Sequence, residues 1–218
     1  MRVVVFASGR GTNFAALSDA QRAGKSRIEL CALLSDKADA RALHVARDAG
    51  VAAIALDPKK YTSRAAFDRA LFDAAAEFRP ELIVLAGFMR VIDPDVVAAW
   101  RGRIINIHPS LLPKYPGLHT HQRALDAGDA MHGASVHFVT PELDGGPAIS
   151  QVAIGVKAND DARTLASRLL LREHRLLAAT VDLIARKRIA LTDNGVTFDG
   201  NLLHHPLRLA DDDRLQEI

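Results

Sequence analysis

The sequence predicts an α/β fold with a mostly parallel, twisted sheet that carries helices on both of its faces. Short apolar runs alternate with longer amphipathic stretches, which is the pattern of parallel strands connected by helices. The run Leu82-Ile83-Val84-Leu85 is apolar throughout, as expected of a strand covered on both faces. The dipeptide Asn194-Gly195 lies between two further apolar runs and is a strong hairpin signal, so antiparallel strands are expected toward the C-terminus.

The first half of the chain is predicted to contain four strands, at residues 3–7, 28–34, 52–56 and 82–85. Helices are expected at residues 13–21, at residues 40–49 and after residue 63. Gly50 suits the C-terminal end of the second helix, and Ser63 suits the N-terminal cap of the third. Apolar residues recur at helical spacing in the third helix before a proline ends it: Phe67, Leu71, Ala74 and Phe78, followed by Pro80.

The second half begins with a short helix that starts at Asp93-Pro94 and ends near Trp100. A strand at 104–108, a proline-rich loop, a helix at 120–127 and strands at 134–139 and 148–156 are expected to follow. A long helix from Asp161 to about Lys187 precedes the hairpin, whose strands are predicted at 189–191 and 196–198. No repeat or linker interrupts the pattern, so residues 1–218 are predicted to form a single domain.

The composition argues against several classes of protein. No apolar run approaches the roughly 20 residues of a membrane-spanning helix, and the first residues lack the features of a signal peptide. The net charge is only +2 and aromatic residues make up 5% of the chain, which argues against a nucleic-acid-binding surface. Cys31 is the one cysteine, so an internal disulfide is excluded and a reducing, cytoplasmic location is expected. The acidic run Asp211-Asp212-Asp213 is interpreted as a solvated tail.

The segment Ser8-Gly9-Arg10-Gly11-Thr12-Asn13 lies between the first strand and the first helix, where amide groups at a helix N-terminus face an anion. A glycine-rich turn without a ligand is one alternative. A NAD-binding loop is another, with Asp36 after the second strand as its ribose-binding acid. Phe14, however, stands where the dinucleotide fingerprint requires a third glycine. A phosphate monoester therefore fits this loop better.

Two polar residues lie on a strand that is otherwise apolar. Alternation places Asn106 and His108 on the same face, at the carboxyl end of the strand, where open α/β sheets bind ligands. A single strand histidine is often a core residue, but the neighbouring asparagine favours a functional pair. An amide and an imidazolium side by side can donate hydrogen bonds to an oxyanion. The prolines of residues 109–117 are expected to hold a rigid loop over this site.

Two acidic residues are candidates to join this pair. Asp144, in Asp144-Gly145-Gly146, could keep His108 oriented and charge-balanced, although the same tripeptide is also an ordinary turn. Glu173 lies within an apolar stripe of the long helix, where a buried acid needs a partner. That partner is either a structural cation or the hydroxyls of a bound sugar.

Five segments taken together carry a family resemblance: residues 8–13, 85–90, 106–121, 135–140 and 142–147. They resemble the phosphoribosylglycinamide formyltransferases, folate-dependent enzymes of purine biosynthesis. The run from Asn106 to Pro113 resembles folate formyltransferases in general, and the first loop and the short length indicate the branch. The resemblance implies a Rossmann-like formyltransferase fold. It also implies a phosphate- and substrate-binding half at about 1–100, a catalytic and folate-binding half at about 101–187, and a C-terminal hairpin and tail at 188–218.

The resemblance implies that 10-formyltetrahydrofolate is the co-substrate and that phosphoribosylglycinamide accepts the formyl group. The implied substrate-binding residues are Gly11, Thr12 and Asn13 for the phosphate and Glu173 for the ribose. The implied folate-binding residues are Arg64, Met89, Arg90, Val91, Ile92, Asn106, Thr140, Pro141, Glu142, Leu143 and Asp144. The implied catalytic residues are Asn106, His108 and Asp144. Leu170 and Arg172 stand where this family commonly has polar amides.

By this resemblance the substrate amine attacks the formyl carbon directly, so no protein nucleophile is required. Asn106 and protonated His108 would stabilise the oxyanion while Asp144 orients the ring and balances its charge. The partners expected are two small molecules, phosphoribosylglycinamide and the reduced folate, with neither nucleic acid nor membrane. The chain is expected to be a monomer or a homodimer.

Four alternatives remain open at this point, and one of them is a non-catalytic folate- or nucleotide-binding module that would bind ligand without formyl transfer. A 10-formyltetrahydrofolate hydrolase would need only water in place of the amine, and a NAD-dependent oxidoreductase would use the first loop differently. A zinc hydrolase could be imagined from His119, His121 and His137, but no thiol ligand accompanies these histidines and no metal is expected.

Overall fold

The computed structural model describes residues 1–217, which contain six α-helices and twelve strands. The helices are α1 (Thr12–Arg22), α2 (Arg41–Asp48), α3 (Arg64–Ala76), α4 (Pro94–Ala99), α5 (Thr120–Asp126) and α6 (Ala162–Ala185). The strands are β1 (Arg2–Phe6), β2 (Glu29–Ser35), β3 (Ala52–Ala55), β4 (Leu82–Leu85), β5 (Ile104–His108), β6 (Met131–Phe138), β7 (Ala148–Gly155), β8 (Ile189–Thr192), β9 (Gly195–Phe198), β10 (Asn201–Leu202), β11 (Leu207–Leu209) and β12 (Leu215–Gln216).

Within the described residues, nine strands form one sheet in the order β12-β11-β7-β6-β5-β4-β1-β2-β3. Five adjacent strands, β3, β2, β1, β4 and β5, are parallel to one another. The next strand, β6, pairs antiparallel with β5 on one side and with β7 on the other. The remaining three strands form a small antiparallel sheet in the order β10-β9-β8. The predicted α/β fold, with its antiparallel additions toward the C-terminus, is therefore confirmed.

Two hydrophobic clusters lie on opposite faces of the large sheet, because alternate residues of β1 enter different clusters. One cluster packs α1, α2 and α6 against the sheet and includes Phe14 and Leu177. The other packs α3 and α4 against it and includes Phe67 and Val96. Full burial of each such side chain contributes about 1.5–3 kcal/mol, so apolar contacts hold helices on both faces.

Most predicted boundaries agree with the structure to within three residues, and Ser63 caps α3 by accepting a hydrogen bond from the N–H of Ala66 at 3.1 Å. The end of α3 is different from the prediction. The helix ends at Ala76, ahead of Pro80. Arg79, directly before the proline, has a left-handed φ of 47°, because helical conformation is disfavoured at that position. Its buried stripe includes Phe72 and Ala75 rather than the predicted Ala74 and Phe78, which are half-buried.

The C-terminal segment corrects the prediction of a simple hairpin and tail. The hairpin of β8 and β9 is present, but β11 then joins the large sheet by pairing in parallel with β7. The acidic run is not entirely a solvated tail, because Asp213 lies 3.1 Å from the guanidinium of Arg175. Arg172 donates to the carbonyls of Leu209 and Ala210 at 3.3 and 3.1 Å. These contacts fasten the C-terminal segment to α6.

The helices of residues 1–217 were also compared with the dimensions of a bilayer. None of them combines the length and the apolar character that a membrane crossing requires.

Candidate active site

A cleft of about 850 Å³ opens at the carboxyl ends of β1, β4 and β5. Its lining includes every predicted site residue except one: Gly11, Thr12, Asn13, Met89, Arg90, Val91, Ile92, Asn106, His108, Thr140, Pro141, Glu142, Leu143, Asp144 and Glu173. The exception is Arg64, which is exposed at the start of α3 and does not line the cleft. The predicted glycine loop, strand pair and folate segments are thus brought together around one space.

The glycine loop forms one end of the cleft. Gly11 is the N-cap residue of α1 and has a positive φ of 77°. A Cβ atom at this position would lie 2.7 Å from the Cα of Ala42. The loop can therefore approach α2 only because residue 11 lacks a side chain. The side-chain oxygen of Asn13 is buried without a hydrogen-bond partner in residues 1–217. The amides at the start of α1 suit an anionic group of a ligand, whereas the unpaired Asn13 oxygen can only accept and suits a donor group.

The same region does not suit a dinucleotide. Phe14 is fully buried in the core at the position where the dinucleotide fingerprint has its third glycine. The carboxylate of Asp36, the candidate ribose ligand of that alternative, instead accepts a hydrogen bond from the hydroxyl of Ser8 at 2.6 Å. Both features disfavour NAD binding.

Asn106 and His137 face each other across β5 and β6, which pair antiparallel in direct register at these two residues. Nδ1 of His137 lies 2.9 Å from the carbonyl oxygen of Phe138, which can only accept, so this nitrogen carries the hydrogen. Nε2 then accepts a hydrogen bond from the amide nitrogen of Asn106 at 3.1 Å, and it also lies 3.6 Å from the Oδ1 atom of Asp144. The same amide nitrogen lies 3.4 Å from the Oδ1 atom of Asp144. His137 therefore orients the Asn106 amide.

His108 is almost fully buried between two acceptors. Its Nε2 atom lies 2.9 Å from the carbonyl oxygen of Tyr115, and its Nδ1 atom lies 3.5 Å from the Oδ2 atom of Asp144. Burial lowers the pKa of His108, and this effect outweighs the contacts with Tyr115 and Asp144, which raise it. The increase in pKa that a neighbouring carboxylate alone would produce is therefore absent, and the lowered pKa favours the neutral ring at pH 7.

Asp144 joins these groups from the loop between β6 and β7. Its Oδ2 atom accepts a hydrogen bond from the N–H of Gly117 at 2.8 Å, which connects this loop to the segment after β5. Burial raises the pKa of Asp144, but the contacts with His137, Gly117 and His108 outweigh it and leave the pKa below its ordinary value. Asp144 is therefore a carboxylate at neutral pH. Its φ of 50° is in the left-handed region, which aspartate adopts more readily than most residues.

Glu173 projects from α6 into the end of the cleft that holds the glycine loop. Burial raises its pKa to about 7, although the positive charge of Arg10 opposes that shift. About half of these carboxyl groups are therefore protonated at neutral pH. The predicted location of Glu173 on the buried stripe of α6 is confirmed, and Arg172 on the same helix turns away toward the C-terminal segment. Leu170, in contrast, lines the cleft.

Another part of the cleft lining is an irregular wall formed by Met89, Arg90, Val91 and Ile92, hereafter the 89–92 wall. Met89 and Val91 expose much of their apolar surface, as do Leu118 and Leu143 at the rim. Exposed apolar side chains that border a cleft favour a flat, largely apolar ligand. The surface at the 89–92 wall is therefore more apolar than the surface at the glycine loop.

Sequence reasoning missed three groups that act on the predicted trio. They are His137, the carbonyl of Tyr115 and the N–H of Gly117, and the antiparallel register of β6 and the loop conformation supply them. His119 and His121 line the cleft, but no group of three or more histidine, cysteine or acidic residues in positions 1–217 could hold a metal ion. Nδ1 of His121 instead lies 2.9 Å from Nε2 of the buried His132.

The chain is similar in sequence and in fold to known proteins of one family. Residues 1–181 match a family model described as formyl transferase. The chain is 44% identical over 203 residues to a phosphoribosylglycinamide formyltransferase of Escherichia coli strain K12, covering 93% of this chain and 96% of that protein. It is 39% identical over 194 residues to the trifunctional purine biosynthetic protein adenosine-3 of Bos taurus, covering 89% of this chain and 19% of that protein.

A solved structure of a phosphoribosylglycinamide formyltransferase from Coxiella burnetii has the same fold, with a TM-score of 0.89 and 41% sequence identity. The match covers 92% of this chain and 94% of that chain. The chain therefore belongs to the formyl transferase family and, within it, to the phosphoribosylglycinamide formyltransferases.

Proposed function

We propose that this folate-dependent one-carbon transferase moves the formyl group of 10-formyltetrahydrofolate to the amine of 5-phosphoribosylglycinamide by direct attack of the amine on the formyl carbon. Family membership supports the reaction, which is a step of purine biosynthesis. The observation that supports the mechanism is the meeting of Asn106, His108 and Asp144 on the floor of one cleft. No covalent intermediate on the protein is required.

The glycine loop and the 89–92 wall each suit one of the two substrates. The phosphate of phosphoribosylglycinamide binds at the amides of Gly11, Thr12 and Asn13, where the N-terminus of α1 favours an anion. The ribose hydroxyls bind Glu173, which is otherwise a buried acid. The reduced folate binds along the 89–92 wall and beneath the loop of residues 140–144. The amine and the formyl carbon then meet above Asn106 and His108.

Stabilisation of the oxyanion is assigned to Asn106 and His108. One amide hydrogen of Asn106 is held by His137, whereas the other has only the long contact with Asp144 and is the one that we assign to the formyl oxygen. Preorganised donors of this kind stabilise the transition state because they need no reorientation when the charge develops.

His108 gains its positive charge during the reaction rather than before it. Burial favours the neutral ring, while the Tyr115 carbonyl and the Asp144 carboxylate both favour the cation. A formyl oxygen that becomes anionic adds a further negative charge, so protonation of the ring becomes favourable as the tetrahedral intermediate forms. The attacking amine supplies a proton, which passes through His108 or a water to the departing folate nitrogen.

The test is a spectrophotometric assay with 10-formyltetrahydrofolate in the presence and absence of phosphoribosylglycinamide. Formation of tetrahydrofolate only when the amine is present is expected for transfer, whereas formation without it would indicate a hydrolase and would refute the proposal. His108→Ala and Asn106→Ala should each lower kcat about 100- to 1000-fold, the usual cost of one oxyanion donor. His204→Ala is the matched control because His204 is exposed and does not line the cleft.

We also assign the chain to the cytoplasm, as a monomer or a homodimer. The free thiol of Cys31 suits a reducing compartment, and the proposed substrates are small metabolites. Size-exclusion chromatography with light scattering distinguishes the two oligomeric states, and a larger assembly would contradict this assignment.

A further inference from the structure

The 89–92 wall lacks regular secondary structure, so its position depends on how its ends are held. Side chains from other elements hold the backbone at both ends. The N–H of Met89 donates to the hydroxyl oxygen of Ser8 at 3.1 Å, and the N–H of Asp93 donates to the Oδ2 atom of Asp68 at 2.8 Å. Ser8 lies two residues after the end of β1, whereas Asp68 lies on α3 and does not line the cleft.

Asp68 is an unusual residue for its location. Its side chain is 0% exposed on the buried stripe of α3, among apolar residues that pack against the sheet. Its Oδ1 atom has no hydrogen-bond partner in residues 1–217. Burial raises the pKa of Asp68, while the N–H of Asp93 and the charges of Arg90 and Arg64 oppose that effect. Burial of a carboxyl group costs free energy unless hydrogen bonds or opposite charges compensate for the lost water.

Arg90 is the second unusual group, and it belongs to the wall itself. Its guanidinium carbon lies 4.7 Å from the centre of the Phe67 ring, and Phe67 directly precedes Asp68 on α3. The Nε atom of Arg90 is buried without a partner in the described residues. The side chain of Arg90 thus leans on α3, where the ring of Phe67 and the nearby carboxyl of Asp68 both attract its positive charge.

We propose that Asp68 is a positioning residue for the reduced folate, because it anchors the Asp93 end of the 89–92 wall and keeps Arg90 against α3. This inference rests on the proposed function, since it assumes that the wall contacts the folate. Asp68 does not line the cleft and acts only through the wall. Its substitution should therefore affect the binding of the folate without affecting the binding of phosphoribosylglycinamide, which we place at the glycine loop.

The test measures two dissociation constants by isothermal titration calorimetry, one for tetrahydrofolate and one for phosphoribosylglycinamide. Asp68→Ala removes a charged acceptor, so the Kd for tetrahydrofolate should rise about tenfold or more. The Kd for phosphoribosylglycinamide should stay within about twofold by the same reasoning, because its binding residues keep their contacts. In steady-state assays the KM for the folate should rise while the KM for the amine does not.

Asp68→Asn separates the hydrogen bond from the charge, because its amide oxygen can still accept from Asp93. We expect it to recover part of the tetrahydrofolate affinity, and it carries the comparison alone if Asp68→Ala does not fold. Asp73→Ala, an exposed acid on the same helix, is the control. Unchanged folate affinity in both Asp68 variants, or an equal loss for both ligands, would overturn the inference. A wild-type protein that binds tetrahydrofolate but transfers no formyl group would instead refute the proposed function and leave this inference standing.

Discussion

The carboxylate of Asp144 lies 3.5 Å from Nδ1 of His108, and the two side chains are only 9% and 8% exposed. The two groups approach from different segments, because His108 ends β5 whereas Asp144 lies in the loop between β6 and β7. Water screens such a pair little, so the negative charge acts strongly on the imidazole.

Asp144→Asn should lower kcat about 100-fold or more, the scale seen when one group of an oxyanion site is lost. The carboxylate raises the pKa of His108, so its removal should lower that pKa further and make the cationic ring harder to form. Asparagine tolerates the left-handed backbone at this position, so the variant should fold. Steady-state kinetics and NMR titration of the histidine rings measure both effects. Near-normal turnover would show that Asp144 is dispensable.

His137→Leu should lower kcat about tenfold, because the Asn106 amide loses the acceptor that orients it. The Michaelis constants should change little, since His137 does not bind either substrate in the proposed mechanism. His137→Gln offers a replacement acceptor and should recover part of the rate. An equal effect of both substitutions would argue that His137 acts through packing alone. Kinetics with a circular-dichroism check of folding distinguish these outcomes.

Glu173→Gln should make the protein more stable at pH 8 and weaken the binding of phosphoribosylglycinamide. The folded-state pKa of about 7 lies above the unfolded value of 4.5, so folding favours the neutral acid. That stability is fully present below pH 4.5 and is lost as the pH rises to 7, by about 3 kcal/mol. Urea unfolding from pH 5 to pH 8 should therefore show a flatter profile for the variant. A profile that matches wild type would contradict the role of Glu173.

His132 should have the opposite effect on stability. Its folded-state pKa is lowered to about 4 from 6.5, chiefly by burial and then by the neighbouring His121, so folding favours the neutral ring. The stability that this provides is present above pH 6.5 and is lost as the pH falls to 4, by about 3 kcal/mol.

His132→Gln should therefore lose less stability than wild type between pH 6.5 and pH 4 in urea unfolding. Glu173 acts with the opposite sign over part of this range, so the comparison is best made in a Glu173→Gln background. His44→Gln, at an exposed position on α2, is the control. Parallel pH profiles for His132→Gln and its parent would exclude the effect.

The parts of the site that could be predicted from sequence are those with a local cause. Asn106 and His108 are two residues apart on a strand, so alternation alone places them on one face. The glycine loop follows a strand and precedes a helix, and this local order is enough to predict an anion site there. Asp144 could be proposed because the chemistry of a buried histidine calls for an acid.

The parts that could not be predicted depend on contacts between distant segments. His137 meets Asn106 because β6 pairs antiparallel with β5 in one register, and packing over the whole sheet selects that register. The carbonyl of Tyr115 reaches His108 because Tyr115 has a φ of 57°, which no local pattern indicates. The strand β11 is only three residues long, too short for periodicity to reveal. The folate-binding role of Arg64 stays a prediction, because its exposed side chain lies outside the residues that line the cleft.

The close approach of Gly11 to Ala42 links the evolution of the glycine loop, which lines the cleft, to that of α2, which does not. A lineage that replaced the glycine would have to shift α2 outward, since a new Cβ atom would lie 2.7 Å from the helix backbone. Such a shift would also disturb β3, which follows α2 at the edge of the sheet. Adaptation of this cleft to a differently shaped phosphorylated compound therefore demands coordinated changes in a helix outside the cleft, and single substitutions in the loop are poor starting points.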